Sequence, residues 1–405
     1  MAGKIKKTSL AYPLLAFIRI VGLNFASMLL QEKALLLYAD SSSSADMLYF
    51  SGIFVPDPFM AFKFGSQTLG LFNALEFARA KKESSLSKVL SYEVYQEKAV
   101  KKFQTTNPTP AHLIATVAAE FKTNHFSVPG DFPLGLALLL KDLGLNLHPS
   151  EGSLFPERDI KDKETAQKIK EGNKASAAGI KAAKQALAES KIKGGKLYLK
   201  GKLLTSERLR TLVNIACLER GALAKDTIVA GGIEACDPHC RGSGVLRAHE
   251  LIIIDVFPRI EKTGYFGDMT RTVLKGQASE AQTQLVKTVI EAQKLALKSL
   301  QPGRKGSEVH QQVQDFFNQK GYKTEARNGL MEGFIHGTGH GLGLEVHEGI
   351  RLGPRGAVLQ PGHVVTVEPG LYYRDLGGCR IEDVAWIQEK GHELLSQCPY
   401  NWVIP

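Results

Sequence analysis

The stretch from His336 to Glu348, HGTGHGLGLEVHE, combines three histidines with four glycines. So many glycines disfavour a helix and let the backbone pass close to another group. Imidazoles act as metal ligands and proton carriers at neutral pH. A single histidine would more often be a core residue, whereas three of them together, with acids elsewhere in the chain, predict a functional site.

Two apolar runs on either side of this stretch, Leu251–Ile254 and Val364–Val367, are each followed by a carboxylate. Runs of this length predict buried strands. A buried carboxylate is stable only when it is paired or bound to a metal ion. Any one such acid could be an ordinary strand-end residue before a turn, but several of them indicate a metal site. The acids concerned are Asp255, Asp268, Glu368 and Glu382.

Strand alternation predicts which side chains of the segment CRIEDV, residues 379–384, share a face. Residues two apart share a face, so Arg380 and Glu382 are expected on one side and Asp383 on the other. An arginine beside a ligating carboxylate can orient it and compensate its charge. We interpret Arg380 as such a supporting residue; the alternative is a surface ion pair.

The length of 405 residues suggests two domains. Alternating strand and helix patterns predict an α/β domain over residues 31–158. Its strands are expected at Leu35–Tyr38 and Met47–Phe54, and its helices near Pro110–Phe121 and Leu134–Leu143. Nothing in this domain has the pattern of a catalytic site.

Residues 159–405 form the second predicted domain. Helices are expected at Lys161–Ser190, after the capping box of Ser279 and Gln282, and after a cap at Ser307. Strands that end in carboxylates follow the helices twice. Two helix-helix-strand halves of this kind suggest an internal duplication.

The composition is that of an ordinary globular protein, with 43% hydrophobic and 23% charged residues. The formal net charge is +10, and the densest basic stretch, Lys161–Lys202, also contains acids. We interpret this stretch as solvated helix faces, the alternative being a surface that binds polyanions. Since no basic motif with interleaved aromatic residues occurs, no nucleic-acid partner is expected.

Residues 1–30 are open to more than one interpretation. Lysines precede the apolar stretch Leu10–Leu30, which could be a signal peptide or a membrane anchor. Arg19 and Asn24 interrupt it, and a charge near the centre of a bilayer is costly. We therefore expect a flexible extension, or a true start at Met28, and no membrane partner.

The five cysteines are too few for a disulfide framework in a chain of this length, which favours reduced thiols and a cytoplasmic location. Cys236, His239 and Cys240 are close enough in sequence to allow a zinc site as an alternative use. A structural zinc site normally has four ligands, and no second matching cluster accompanies these three.

Three blocks of the sequence resemble the pita-bread metallopeptidases, a family that contains aminopeptidase P, prolidase and methionine aminopeptidase. The blocks are IIIDV with GYFGDMTRT, HGTGHGLGLEVHE, and VTVEPG with CRIED. The resemblance runs from about Ile160 to the end of the chain. It implies an α+β catalytic domain of the pita-bread (creatinase/aminopeptidase) type, preceded by a creatinase-like α/β domain.

The resemblance also implies a centre of two divalent metal ions, which can lower the pKa of a water molecule to near neutrality. Four carboxylates and one imidazole make an oxygen-rich ligand set that suits Mn²⁺, with Co²⁺, Zn²⁺ and Fe²⁺ as alternatives. The implied ligands are Asp255, Asp268, His340, Glu368 and Glu382.

Further roles follow from the same resemblance. Glu368 would take up and pass on a proton. His336 and His347 would bind the substrate carbonyl or the developing oxyanion, and Arg380 would support the ligands. His239 is implied as another substrate contact, although the sequence around it fits the family pattern poorly.

The implied activity is hydrolysis of the N-terminal peptide bond of peptides. The segment HGLGLEVHE is similar to that of the proline-directed members, so we predict an Xaa-Pro aminopeptidase that acts as a homodimer. An Xaa-Pro dipeptidase (prolidase) shares both domains and all five ligands, and a metal-free binding protein is a third alternative. Phe257 stands where relatives have glycine, and Pro258–Thr263 lengthens the spacing between the first two ligands. Both departures concern the rim of the substrate site.

Overall fold

The computed structural model describes residues 34–405. The extension expected at residues 1–30 lies outside the described residues. These residues divide into two compact units, a first that ends at Leu154 and a second that comprises Phe155–Pro405. Within residues 34–405, no helix combines the length and the apolar character that crossing a membrane requires.

The described part of the first unit is an α/β unit built on one mixed sheet. Its strands are β1 (Ala34–Ala39), β2 (Phe59–Phe64), β3 (Gln67–Phe72), β4 (Lys88–Ser91), β5 (His125–Val128) and β6 (Asn146–Pro149). The sheet order is β4-β3-β2-β1-β5-β6, with β1, β2 and β3 antiparallel and the other pairs parallel. The helices are α1 (Ala45–Ser51), α2 (Ala74–Glu83), α3 (Tyr92–Phe103), α4 (Pro110–Glu120) and α5 (Leu134–Asp142).

The strand predicted at Met47–Phe54 is wrong, because helix α1 occupies most of it. The Ser44 side chain accepts a hydrogen bond from the N–H of Met47 at 3.2 Å. At the other end, Gly52 adopts φ +68° and its N–H donates to the carbonyl of Leu48. Caps at both ends stabilise a short helix in an apolar run that local pattern alone assigns to a strand.

The second unit contains two pairs of helices. Asp162, Thr205 and Ser279 each accept a hydrogen bond from a first-turn N–H and so start three of these helices. The capping box of Ser279 and Gln282 is confirmed. The helices are α6 (Lys163–Glu189), α7 (Ser206–Leu218), α8 (Glu280–Ser299) and α9 (Gly306–Gln319).

The strands of the second unit form several sheets. They are β7 (Lys191–Lys193), β8 (Lys196–Leu199), β9 (Lys202–Leu203), β10 (Ala222–Leu223), β11 (Ile228–Gly231), β12 (Leu251–Val256), β13 (Arg259–Ile260), β14 (Met269–Lys275), β15 (Glu325–Arg327), β16 (Leu330–Glu332), β17 (Gly339–Gly341), β18 (Glu348–Leu352), β19 (Val364–Val367), β20 (Gly370–Tyr373), β21 (Gly377–Arg380), β22 (Asp383–Ile387), β23 (His392–Leu394) and β24 (Val403–Ile404). The larger sheets have the orders β11-β12-β14-β24 and β18-β17-β19-β22-β23. The smaller ones are β7-β8-β9, β10-β13, β15-β16 and β20-β21.

Each helix pair packs on one of the larger sheets. Buried residues of α6 and α7 form a cluster with those of β12 and β14. Buried residues of α8 and α9 form another cluster with those of β19 and β22. The order of two helices followed by a sheet therefore occurs twice, in agreement with the two halves expected from the sequence.

The cap predicted at Ser307 is wrong. Lys305 occupies the N-cap position and makes no side-chain capping bond, and Ser307 already lies within the first turn of α9. The N–H groups of Gly306 and Ser307 donate to the carbonyls of Ala357 and Gly356. Carbonyl groups of a distant segment therefore accept hydrogen bonds from the first N–H groups of this helix, which needs no side-chain cap.

Helix α6 passes very close to the segment that precedes β14. A Cβ on Gly172 would lie 2.4 Å from the backbone nitrogen of Gly267, and a Cβ on Gly267 would lie 2.1 Å from the carbonyl carbon of Gly172. Only glycine permits this approach. This approach brings the next helix residue, Asn173, close to Asp268. The N–H of Asp268 donates to Asn173 Oδ1 at 2.9 Å.

We expect Gly172→Ala to lower the free energy of unfolding by about 1–3 kcal/mol, because the added methyl group has no space against Gly267. Gly135→Ala is the matched control: Gly135 also lies in a helix, but a Cβ there would meet nothing within 4 Å. Its higher helix propensity should leave stability unchanged or raise it by about 1 kcal/mol. Thermal and denaturant melts measure both variants, and equal effects in the two would contradict the close packing.

Candidate metal centre

A cavity of about 550 Å³ in the second unit contains most of the predicted site residues. Its walls come from β12, β17, β18 and the segments next to β14 and β19. Of the nine residues singled out in the sequence, eight line it and Glu382 lies buried behind the wall. The eight are His239, Asp255, Asp268, His336, His340, His347, Glu368 and Arg380.

Sheet register places the first two acids on one face. Asp255 on β12 lies opposite Thr270 on β14, and Asp268 is two residues before Thr270. Cross-strand partners and residues two apart along a strand point to the same side. Thr270 also holds Glu382. The N–H of Glu382 donates to the Thr270 carbonyl at 3.1 Å, and the Thr270 hydroxyl donates to Glu382 Oε2 at 2.7 Å.

The second large sheet positions the imidazole and the remaining acid. His340 lies on β17, next to β19, and Glu368 follows the end of β19. The Thr366 hydroxyl joins them: it accepts the N–H of His340 at 3.1 Å and donates to Glu368 Oε1 at 3.5 Å.

Ligand-type atoms from the two sheets converge. One such atom from each of Asp268, His340 and Glu382 lies within 4.8 Å of the others. His340 Nε2 is 3.7 Å from Asp268 Oδ2 and 3.4 Å from Glu368 Oε1. Elsewhere in residues 34–405, no other group of three or more histidines, cysteines and acids is close enough to hold an ion.

The protonation of His340 suits a cation ligand. Burial lowers the pKa of His340 to about 3, so its ring is neutral. Its Nδ1 lies 3.1 Å from the carbonyl oxygen of Gly341 and must carry the proton to make that hydrogen bond. The Nε2 lone pair therefore faces the carboxylate oxygens of Asp268 and Glu368. When these carboxylates are ionised the arrangement is repulsive, and it becomes favourable when a cation lies between.

The carboxylates also fit a cation. Burial and the neighbouring acids raise the pKa values of Asp268 and Glu382 well above the usual range, and burial raises that of Glu368 to about 7. Two cationic side chains lie near these acids: Arg380, whose Nη2 donates to Asp255 Oδ2 at 2.6 Å, and Arg351, whose charge acts on Glu368. Asp255 Oδ1 is buried without a hydrogen-bond partner. An oxygen-rich set with excess negative charge and an unpartnered oxygen fits divalent ions.

The segment CRIEDV separates its charges as strand alternation predicts, although β21 and β22 are interrupted at residues 381–382. Arg380 and Glu382 face the site, whereas Asp383 faces away and pairs with Arg271 at 2.8 Å. Arg271, 1% exposed, also donates through Nη1 to the carbonyl of Glu382. Arg380, which the sequence predicts to support a carboxylate, donates to Asp255.

Sequence reasoning missed several supporting residues. Arg271 is charged within the strand-like run MTRTVLK, a pattern that does signal a buried ion pair. Asn173 in the middle of α6 and the hydroxyls of Thr270 and Thr366 have no comparable local signal, because their partners are distant in sequence.

His336 is tied to a residue that the sequence did not indicate, Tyr372. Burial lowers the pKa of His336 to about 3, so the ring is neutral. Its Nδ1 lies 2.7 Å from the Gly337 carbonyl oxygen and Nε2 lies 2.8 Å from the Tyr372 hydroxyl. Arg380 Nη1 also donates to that hydroxyl, at 3.0 Å. The proton of His336 therefore lies on Nδ1, and Nε2 accepts from Tyr372.

The outer wall of the cavity is formed by exposed groups. The ring of His347 packs edge-on against that of His340 at 4.4 Å. His239, Phe257 and Arg351 line the same wall, and Arg351 was not foreseen. Cys236 is buried, and burial raises the pKa of its thiol to about 11. Within residues 34–405, Cys236, His239 and Cys240 do not bring their ligand atoms close enough together to hold an ion, which does not favour the zinc alternative.

The model of metallopeptidase family M24 matches residues 167–389, more than half of the chain. The chain belongs to metallopeptidase family M24. This confirms the family resemblance drawn from the three sequence blocks.

Individual relatives match over part of their length. An uncharacterized peptidase of Bacillus subtilis is 39% identical over 181 residues, 44% of this chain and 48% of that protein. A Pyrococcus furiosus protein named Xaa-Pro dipeptidase is 36% identical over 176 residues, 43% of this chain and 48% of that protein. The chain thus spans about half the length of these curated relatives.

Solved structures show the fold of both units. An X-Pro aminopeptidase from Thermotoga maritima has a TM-score of 0.76 at 24% identity, over 94% of this chain and 100% of that chain. An Xaa-Pro dipeptidase from Bacillus anthracis has a TM-score of 0.77 at 22% identity, over 96% of this chain and 99% of that chain. The predicted fold class, an α/β unit followed by a pita-bread catalytic unit, is confirmed.

We expect the purified M24 protein, reconstituted with Mn²⁺, to bind about two metal equivalents per chain. Asp268→Asn should bind no more than about one, because it removes a carboxylate from the centre of the ligand group. Asp315→Asn, on the exposed face of α9, is the charge-matched control and should bind as much as the parent. Elemental analysis after gel filtration measures the content. Full occupancy of Asp268→Asn would contradict the assignment.

Proposed function

We propose that this chain is a two-metal peptidase that hydrolyses the N-terminal peptide bond of peptides with proline in the second position. The proposal is that of an Xaa-Pro aminopeptidase. Its main support is the convergence of four acids and a neutral imidazole on one cavity lined by further histidines. Membership of family M24 and relatives named as Xaa-Pro peptidases also support it.

In this proposal Asp255, Asp268, His340, Glu368 and Glu382 hold two divalent ions, with Mn²⁺ as the first candidate. When bound, such ions lower the pKa of water and polarise the scissile carbonyl. Arg380 and Thr270 keep the ligand oxygens in place through the hydrogen bonds described above.

Glu368 is the group that we assign to proton transfer. Its side chain is partly exposed to the cavity, whereas Asp268 and Glu382 are buried. A carboxylate with this access can accept a proton from the attacking water and deliver it to the departing nitrogen. For a bond before proline this delivery matters, because the proline nitrogen carries no hydrogen of its own in the peptide.

The histidines of the cavity are assigned to the substrate. His347 is exposed there and can donate to the carbonyl oxygen as negative charge develops on it. His336 is not free to do so, since its Nδ1–H already donates to the Gly337 carbonyl and its Nε2 accepts from Tyr372. We therefore assign the first contact to His347, and assign His336 and His239 to positions farther along the peptide.

Arg351 favours a second candidate, an Xaa-Pro dipeptidase. Its guanidinium lines the cavity and forms no ion pair with any described residue. Such a group suits a free carboxylate, which a dipeptide presents one residue after the scissile bond. The cavity of about 550 Å³ nevertheless has room for longer peptides, which supports the aminopeptidase as the first candidate.

The test compares Xaa-Pro-Yaa tripeptides with Xaa-Pro dipeptides on the Mn²⁺-loaded protein. Release of the first residue from the tripeptides is the expected result. Cleavage of dipeptides alone would replace the aminopeptidase by the dipeptidase. In that case Arg351→Ala should raise KM for dipeptides at least about tenfold. Cleavage of neither, with metal bound, would contradict both candidates, and failure to bind metal would favour a binding protein without catalysis.

We expect Glu368→Ala to reduce kcat by on the order of a hundredfold or more, because a ligand and a proton carrier are lost together. Glu308→Ala, an exposed acid on α9, is the control and should keep parental turnover. Turnover is measured in stopped assays, and metal content is measured in parallel. The comparison distinguishes loss of metal from loss of proton transfer. Near-parental turnover of Glu368→Ala would show that another group transfers the proton.

The setting of the enzyme completes the proposal. All five cysteines are free, which agrees with a reducing compartment, and we propose the cytoplasm. A homodimer is proposed from the family resemblance, with a peptide as the partner in catalysis.

A further inference from the structure

A second cavity, of about 560 Å³, lies between helix α6 and the C-terminal segment 395–401. It shares no lining residue with the metal-centre cavity. Its lining has one unusual property: five of the lining residues are cationic, and the lining contains no acidic residue. The cationic residues are Lys170, Lys174, Lys181, Lys184 and Arg220.

The four lysines follow one face of α6. Lys174, Lys181 and Lys184 lie four, eleven and fourteen residues after Lys170, spacings that return to the same side of a helix. The basic stretch of the sequence, interpreted there as solvated helix faces, is thus partly collected into one cavity. Ala177, seven residues after Lys170, lies between them and lines the cavity floor.

Ion pairs neutralise only part of this charge. Lys170 pairs with Glu393 at 2.9 Å and Lys174 with Glu171 at 2.8 Å. Within the described chain, Lys181, Lys184 and Arg220 form no ion pair. Lys184 is half-buried, and its Nζ has the Pro399 carbonyl as a neutral partner at 3.4 Å. A half-buried ammonium without a counter-charge is stabilised when an anion binds beside it.

The rest of the lining suits the body of an organic ligand. Ala177, Ala178, Leu395 and Pro399 supply apolar surface. Three side-chain amides, which can donate and accept hydrogen bonds, complete the wall; they are Asn173, Gln397 and Asn401. The Nδ2 of Asn173 is buried and has no hydrogen-bond partner, while its Oδ1 is used by Asp268.

We propose that this cavity binds a small organic phosphate of the nucleotide class. The phosphate lies among Lys181, Lys184 and Arg220, and the heterocycle lies on the apolar floor with the amides at its edge. The volume is that of a small-molecule site. Because acids already neutralise Lys170 and Lys174, the remaining charge of three cations matches one phosphate ester better than a long polyanion, which needs many unpaired cations.

The site lies behind the metal centre. Asn173 contacts the N–H of Asp268, and the carbonyl of Cys398, another lining residue, accepts from Arg271 Nη2 at 2.8 Å. Arg271 in turn holds the carbonyl of Glu382. A ligand in this cavity therefore contacts residues that position two of the proposed metal ligands, without entering the catalytic cavity.

Binding of AMP to the Mn²⁺-loaded protein, measured by titration calorimetry, tests the proposal. We expect AMP to bind with a Kd of about 10⁻⁴ M. Adenosine and inorganic phosphate should each bind at least about tenfold more weakly, because adenosine lacks the phosphate and inorganic phosphate lacks the heterocycle. The double variant Lys181→Ala/Lys184→Ala should weaken AMP binding at least about tenfold. Lys287→Ala/Lys294→Ala removes the same charge from the exposed face of α8 and should bind AMP like the parent.

Equal AMP binding by the two double variants would overturn the proposal, because AMP would then lie elsewhere, for example at the metal centre. Unchanged metal content and melting temperature show that both variants are folded. Tighter binding of inorganic phosphate than of AMP would also overturn it, since the apolar floor and amides would then contribute nothing.

Alkylation provides an independent localisation. Cys398 lines the cavity and is partly accessible, whereas Cys240 is partly accessible outside it. AMP should slow the reaction of Cys398 with iodoacetamide at least about threefold at saturation and leave Cys240 unchanged, as measured by peptide mass spectrometry. Equal rates for Cys398 with and without AMP would place the ligand elsewhere.

Discussion

Repulsion among four carboxylates, three of them buried and one partly exposed, is the constraint on which the rest of the catalytic unit depends. Asp255, Asp268, Glu368 and Glu382 come from two different sheets, and Arg380 pairs directly with one of them, Asp255. Without a cation this cluster destabilises the fold, and the neutral ring of His340 adds a lone pair to it. A protein keeps such an arrangement only when binding of ions repays the cost of burial.

The surrounding structure holds these groups against their mutual repulsion. Thr366 bridges His340 and Glu368, and Thr270 holds Glu382. The close approach of two glycines lets Asn173 fix the backbone of Asp268. Arg271 and Asp383 form a buried ion pair directly behind Glu382. The Asp383 carboxylate is further satisfied by Gln293, Ser396 and Tyr400. These residues take no part in the proposed chemistry, yet they determine its geometry.

The same supports give the two cavities of the catalytic unit a common wall. One side faces the histidines and Arg351, where a peptide is proposed to bind. The other side faces the lysines of α6 and the segment 395–401. Because Asn173 and the carbonyl of Cys398 belong to the second side and contact the supports of the first, the proposed anion site is mechanically connected to the metal centre. In α6, one helix thus presents a packing face, a supporting amide and a cationic face.

Sequence reasoning predicted most kinds of elements, two units, the family and a set of candidate ligands, because these depend on local patterns: apolar runs, caps such as Ser279 with Gln282, and acids placed directly after strands. It failed at Met47–Phe54, where caps at both ends outweigh β propensity, and at Ser307, where a distant carbonyl replaces a side-chain cap. Three features emerge only in the folded chain: Arg271 lies behind Glu382, Tyr372 donates to Nε2 of His336, and lysines scattered along α6 line one cavity. Each of these depends on groups far apart in the chain, and their contact is set by sheet register and helix packing, which no local pattern encodes.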